Sequence, residues 1–435
     1  MATKFKTVDW AATANIYEVN LRQYTPEGTI AAFQKELPRL RNMGIDILWF
    51  MPLTPISIEK RQGSLGSYYA CSHYTLVNKE FGNIEDFKEL VISAHAQGFK
   101  VIIDWVANHT GYDHVWTKDH PEFYKKNNEG NFYDAFGWID VIDLDYSKTG
   151  LWETMVAEMD FWIKECDIDG FRCDMAQLVP LDFWSFARTQ LEMQKKLFWL
   201  AESEVADYHQ VFDATYAWEF LHTAEAVYKN NASLQSLRNV LDKYDAAFPA
   251  NGLRALFTSN HDENSHSGSE YERFGDGAEA FAVLCAMWKN SLPLIYSGQE
   301  MPNKKRLQFF DKDPIEWTGH YLLNDFYKVL LSLRKDCTAL RSGDTAVDTK
   351  IIATNTPENI FAFLRKHEEN EVLVLLNLSA AKIRFSIKDE FIAGRFINAF
   401  TGNESNINNL IHFEMEKWGY LIYYTKKGII NLLVS

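Results

Sequence analysis

The sequence predicts an α/β protein built as a (β/α)8 TIM barrel, with a short subdomain inserted after strand three and a C-terminal antiparallel β-sandwich. Three observations carry this expectation. Apolar strand-like runs alternate with amphipathic helix-like runs over about the first 340 residues. One connection, 109–145, is much longer than the others and reads as polar, aromatic and turn-rich. After about Leu340 the texture changes to short strand-like segments separated by polar turns. The boundaries that follow are 1–108 with 146–340 for the barrel, 109–145 for the insert and 341–435 for the C-terminal domain.

The eight barrel strands are expected at 14–21, 45–52, 100–108, 170–175, 197–203, 214–220, 253–260 and 293–298. Ile45–Phe50 and Val101–Ile103 are nearly continuous in apolar residues, as parallel strands covered on both faces should be. Long helical patterns lie between most strands, at 84–98, 151–166, 181–194 and 278–290. The same alternation would also fit a doubly wound open sheet, the runner-up. In the C-terminal part, strands are expected at 360–364, 372–378, 383–387 and 420–424.

Composition narrows the function. Lys plus Arg number 44 against 59 Asp plus Glu, a net charge of −15. That balance argues against a nucleic-acid partner, which needs clustered positive charge, and against an anionic membrane surface. No run approaches the roughly 18 apolar residues of a membrane span. Aromatic content is high, with 13 Trp, 20 Tyr and 30 Phe. Most of these rings are expected in the core, and some would suit a neutral sugar as flat platforms. The five cysteines are widely spaced with no CxxC pair, which fits a reducing compartment. With no signal-like apolar stretch in the first ten residues, a cytoplasmic location is expected; removal of a precursor segment would make it secreted or periplasmic.

Chemistry in such a barrel belongs at the C-terminal ends of the strands. Four strands end in polar residues there: Asp104-Trp105-Val106-Ala107-Asn108-His109, Gly170-Phe171-Arg172-Cys173-Asp174, Phe198-Trp199-Leu200-Ala201-Glu202 and Asn260-His261-Asp262. Strand geometry has a period of two, so Gly170, Arg172 and Asp174 share a face while Phe171 and Cys173 point to the outer helices. Trp199 likewise faces outward and Glu202 inward. Asp174, Glu202 and Asp262 would converge at the barrel mouth around one cation, Arg172. Any one of these alone reads as a helix cap or surface charge, and His109 or His261 alone as a satisfied polar residue. Their coincidence at one rim is what points to catalysis, since buried charges are costly unless they have work to do.

These four ordered blocks resemble the α-amylase superfamily of glycoside hydrolases. Further similarities are Gly44–Pro52, Tyr69-Ala70-Cys71-Ser72-His73-Tyr74, Asp143-Leu144-Asp145 and Ser297-Gly298-Gln299-Glu300. The resemblance implies a retaining attack on an α-glucosidic bond, most simply α-1,4, in starch-type glucans or malto-oligosaccharides. It implies Asp174 as nucleophile, Glu202 as general acid/base and Asp262 as the residue holding ring hydroxyls. Arg172 would keep Asp174 ionised, and crowding by other carboxylates would raise the pKa of Glu202. His109 and His261 would hydrogen-bond the same sugar and Tyr69 would stack on it. Because His261 and Asp262 are adjacent, the strand must have ended and turned there.

The sequence departs from the family pattern in places. Gln177 and Leu178 stand where many members carry Lys-His, and Asp145 where Asn is common. No cofactor is required on this pattern. Asn108 matches a family calcium ligand, yet Asp104 and Asn108 alone do not make a cage of 6–8 oxygens, so a Ca²⁺ near Asn108 is left open by the resemblance rather than required. A transglycosylase, cyclomaltodextrinase or sucrose-acting enzyme would use the same three carboxylates. A non-catalytic carbohydrate-binding or scaffold barrel would typically have lost one of them. Trp116, Trp138 and Trp317 are candidate sugar contacts, with packing the default for each.

Overall fold

Eight parallel strands close on one another: β1 (Ile16–Val19), β2 (Ile47–Phe50), β3 (Lys100–Trp105), β4 (Gly170–Cys173), β5 (Phe198–Ala201), β6 (Ala214–Tyr216), β7 (Leu253–Leu256) and β8 (Ser291–Tyr296). Each pairs with the next, and β1 pairs with β8, so the sheet is a closed barrel rather than a doubly wound open one. This is a computed structural model, and it describes residues 5–389, 392, 394–407 and 410–425. All eight strands fall inside the segments expected from sequence, apart from two extra residues at the start of β8.

The strands are buried on both faces; every residue of β2 is fully buried. Side-chain direction follows the period of two. Phe171 packs outward against Trp199 (ring centroids 5.4 Å apart), and Trp199 meets Trp184 of the helix Leu181–Leu191. Arg172 points inward, its guanidinium 5.0 Å from the Trp49 ring and 5.5 Å from Tyr216. Gly170 is where β4 and β5 approach most closely. A Cβ there would stand 2.0 Å from the Phe198 carbonyl oxygen, so only glycine permits this register.

The helices between strands begin and end on local signals. Ile84–Ala96 starts at an Asn83 capping box completed by Asp86. Leu151–Cys166 stops at Asp167, which adopts the left-handed conformation. Among the described residues, no helix is long and apolar enough to cross a membrane.

The long connection after β3 contains two short strands, His109–Gly111 and Val141–Asp143, paired antiparallel with His109 opposite Asp143. The C-terminal part holds β9 (Asp348–Ile351), β10 (Ile360–His367), β11 (Asn370–Asn377), β12 (Ile383–Lys388), β13 (Gly394–Asn398), β14 (Glu404–Ile407), β15 (Leu410–Met415) and β16 (Tyr420–Tyr424). Six of these form one antiparallel sheet, in the order β9-β10-β11-β16-β13-β14, and β12 pairs with β15 as a ribbon. Phe385, Ile387 and Met415 of the ribbon join Leu373, Leu375 and Phe396 of the sheet in one apolar core. Four strands here were not expected from sequence. Segments such as Asp348–Ile351 and Glu404–Ile407 carry little apolar alternation and are held by their neighbours' ladder hydrogen bonds. Residues 426–435 of the expected C-terminal domain lie outside the described residues.

Candidate active site

Arg172, fully buried in β4, is the centre of the barrel mouth. Its Nη1 lies 3.0 Å from Asp104 Oδ1 and 3.1 Å from Asp174 Oδ1, and its Nη2 lies 2.8 Å from Glu202 Oε2. Parallel register sets Asp104 of β3 level with Arg172, while Asp174 and Glu202 each follow the paired Cys173 and Ala201 by one residue, at a common level just above. Glu202 also accepts the Met175 N–H at 2.8 Å. Met175 adopts a left-handed conformation (φ 41°), an uncommon one for a residue with a side chain, and it ends β4 just past Asp174.

Three carboxylates on one guanidinium leave an excess of negative charge. Burial and the neighbouring Glu202 charge push Asp174 well above the usual carboxylate range, against the opposing pull of Arg172. Burial likewise raises Asp104 to about 6, with Arg172 opposing. The neighbouring Glu202 charge is thus the second cause, after burial, of the upward shift at Asp174.

The fourth block ends as expected. β7 stops at Leu256, and the chain turns so that His261 and Asp262 occupy different environments. Asp262 is 37% exposed at the side chain, whereas His261 is 1% exposed. His261 Nδ1 lies 2.5 Å from Glu18 Oε1, and Nε2 lies 3.2 Å from Asp262 Oδ2. Burial pushes Asp262 up, but the His261 charge outweighs it and holds the carboxyl at about 2. Tyr69 donates its hydroxyl to Asp104 Oδ2 at 3.0 Å and stands 2.8 Å from His261 Nε2. Its ring lies near-parallel to those of His261 and Phe309, with centroids 5.4 Å and 6.3 Å away.

A cleft of about 350 Å³ opens over these groups. Asp174, Glu202, Asp262, Tyr69 and His109 line it, five of the seven residues expected from sequence. Arg172 and His261 do not; both stand behind the lining, because their donors are consumed by carboxylates within the protein. His261 instead contacts Asp262 and Tyr69, both of which line the cleft. His109 is 3% exposed, and burial lowers its imidazole to about 4, so it is neutral at pH 7.

Of the three candidate tryptophans only Trp138 lines the cleft, edge-on to His109 with centroids 5.4 Å apart. Trp116 is buried against Tyr74 and Phe123, and Trp317 packs on Tyr24 and hydrogen-bonds its carbonyl. Gln177 is not part of the lining, and Asp145 caps its own turn through Ser147 and Lys148.

The lining also includes Gln62, Ser67, Asp140, His266, Phe309 and Phe310, none of which was singled out from sequence. They come from loops with no strand-end signature. The adjacent pair Phe309-Phe310 in a polar loop was the one visible hint. Asp104 and Glu18 carried a clearer signal, each a lone acid in an otherwise apolar strand.

The donor set near Asn108 does not suit Ca²⁺. Both Asp104 oxygens are taken by Arg172 and Tyr69, and the Asn108 amide donates to His109 Nδ1 at 3.2 Å. Among the described residues, no group of three or more His, Cys, Asp and Glu side chains is placed to hold a metal ion.

Comparison with known proteins agrees with this geometry. Residues 4–336 match the family model for the alpha amylase catalytic domain, and residues 351–422 match that for the maltogenic amylase C-terminal domain. The crystal structure of the maltogenic alpha-amylase AmyB from Thermotoga neapolitana superposes with a TM-score of 0.88 at 28% identity, covering 97% of this chain and 99% of that one. The alpha-amylase MalA of Haloarcula japonica is 24% identical over 389 residues, which cover 85% of this chain and 56% of the relative's length. A cyclomaltodextrinase of Thermoanaerobacter pseudethanolicus is 23% identical over 430 residues, covering 91% of this chain and 69% of the relative.

Proposed function

The chain belongs to the alpha-amylase family of glycoside hydrolases, and from that premise we propose that it hydrolyses α-glucosidic bonds, chiefly α-1,4, in starch-type glucans and malto-oligosaccharides. The observation that carries the proposal is the set of three strand-end carboxylates on one buried guanidinium, beneath an aromatic-walled cleft. Asp174 and Glu202 bind neighbouring nitrogens of Arg172. That proximity is compatible with the roughly 5 Å carboxyl separation of a retaining mechanism.

In the first step an Asp174 oxygen attacks the anomeric carbon as Glu202 gives its proton to the departing glycosidic oxygen. This leaves a glucosyl ester on Asp174. In the second step Glu202 takes a proton from water, whose oxygen attacks the face that the leaving group vacated and displaces the Asp174 carboxylate on the opposite side. The pair must hold one proton between them. Asp262, held ionised by His261, is the group available to bind ring hydroxyls and favour the distorted sugar. Tyr69 and Trp138 supply apolar faces for the same sugar and its neighbour.

The test is incubation with maltotetraose, soluble starch, pullulan and sucrose, with products followed by chromatography and early-time proton NMR. We expect shorter malto-oligosaccharides that appear first as the α-anomer. Absence of turnover on every α-glucoside would refute the proposal, and products longer than the substrate would place the chain among transglycosylases. Because the donor set around Asn108 does not form an oxygen cage, treatment with EDTA should leave activity and melting temperature unchanged. A loss of either that Ca²⁺ restores would overturn that expectation. The five cysteines are all buried and free, which supports a reducing, cytoplasmic setting.

A further inference from the structure

One buried carboxylate beneath the cleft takes no part in the two-step reaction. Glu18 is the only charged residue of β1 and is fully buried, flanked in the strand by Tyr17 and Val19. An apolar residue would serve the barrel core better, since a buried charge is costly without a dedicated partner. Its partner is His261, with Glu18 Oε1 2.5 Å from Nδ1.

The protonation of His261 follows from its contacts. Nδ1 faces a carboxylate and so donates. On the other side of the ring, Tyr69 gives its hydroxyl hydrogen to Asp104, so towards His261 the Tyr69 oxygen accepts. Nε2, which also faces Asp262 Oδ2, must therefore donate as well. An imidazole that donates from both nitrogens is an imidazolium.

Every charged group around the ring can be named. Glu18 from β1 and Asp262 after β7 touch it; Asp104 from β3 and the Arg172 cation of β4 stand one contact away; His266 lies near Asp262. Trp49 and Phe309 cover its remaining faces. Burial would lower this histidine, and the Asp262 and Glu18 carboxylates outweigh it and hold it well above its ordinary value.

We infer that Glu18 is a positioning residue of the site. It locks His261 as an imidazolium, and that imidazolium fixes Asp262 and Tyr69 where the cleft presents them to the sugar. The inference rests on the hydrolase reading above for its catalytic consequence, and on geometry alone for the charge of His261.

Glu18→Gln keeps the shape and the acceptor but removes the charge. With one of two compensating anions gone, burial should bring the His261 pKa down. The readout is the imidazole ¹⁵N signal of His261, identified by its loss in His261→Gln. In the native enzyme the ring should stay doubly protonated well above the ordinary histidine range, and in Glu18→Gln it should lose its proton at lower pH. The alkaline limb of the kcat/KM profile should then move down by about one pH unit, an approximately tenfold loss at a fixed pH on that limb. In the double variant, Glu18→Gln should add no further loss to His261→Gln, because the first residue acts through the second.

A native His261 that is neutral at pH 7 would overturn the inference. So would an unmoved titration and alkaline limb in Glu18→Gln, or fully additive losses in the double variant. Should Glu18→Gln fold poorly, the native titration still tests the charge. The NMR readout needs no turnover, so a protein inactive on every α-glucan would sink the hydrolase reading while the Glu18–His261 pair is still measured.

Discussion

Asp174→Asn should lower kcat on maltotetraose by at least ~10⁴-fold, because it removes the nucleophile on which both steps depend. The same substitution should raise the melting temperature at pH 7, by about 2 °C or more. The reason is electrostatic. Asp174 shares Arg172 with Asp104 and Glu202, and burial with the Glu202 charge pushes its carboxyl well up. A folded-state pKa raised above the unfolded value contributes stability that is complete below about pH 4 and is lost as pH rises. Asn carries no such penalty, so the stability gain of the variant should grow from pH 4 to pH 8. Near-normal turnover would refute the nucleophile assignment, and a lower melting temperature across that range would refute the crowding argument.

Glu202→Gln should behave differently. Loss of the general acid should cost about 10²- to 10⁴-fold on glucans. On an aryl α-glucoside with a good leaving group, the first step needs no proton, and glucosyl-enzyme formation should remain close to the native rate. Removing the Glu202 charge also removes one cause of the raised Asp174 pKa. The acid limb of the residual activity should therefore shift to lower pH. An equal loss on both substrates would argue against proton donation by Glu202.

Arg172→Met should be the most damaging single change to stability, costing about 3–5 kcal/mol. The guanidinium is completely buried and is the common partner of Asp104, Asp174 and Glu202. Methionine fills much of the volume but leaves three carboxylates facing one another. The folded-state pKa values of Asp104 and Asp174 rise further without the cation, so the loss should be small near pH 4 and largest above pH 7. Adding Asp104→Asn should recover part of the stability without recovering activity, because it lowers the charge count yet leaves Asp174 and Glu202 unpaired. Denaturant unfolding at pH 4 and pH 8 measures this directly. A pH-independent loss would show that packing, rather than charge, governs the site.

The barrel was legible in the sequence because its strands are buried on both faces. Burial of that kind forces continuous apolar runs such as Ile47–Phe50, and those runs cannot be mistaken for surface. The inward placement of Arg172 and Asp174 was legible for an equally local reason, since side chains alternate along a strand. The C-terminal strands were only half legible. Asp348–Ile351 and Gly394–Asn398 are held by pairing with stronger neighbours, a cause that lies outside their own residues.

Within the site, the placement of Asp174 and Glu202 at the barrel mouth was foreseeable because each directly follows a strand, and parallel register brings those strand ends to one rim. That Glu18, a lone acid in its strand, meets His261 was not foreseeable. Glu18 and His261 are 243 positions apart and meet only because β1 closes the ring next to β8, so their contact is a property of closure. The same holds for the lining residues Phe309 and Phe310, which reach the cleft from a loop following β8. Charge placement also belonged to three dimensions. Local pattern put the acids at the mouth, while burial beside the Glu202 charge pushes Asp174 up and the His261 charge holds Asp262 down. Periodicity and burial are written residue by residue, so the chain alone carries the fold and the set of acids at the barrel mouth. Desolvation and Coulomb interaction depend on distances between remote segments, so the protonation of that set exists only once the barrel has closed.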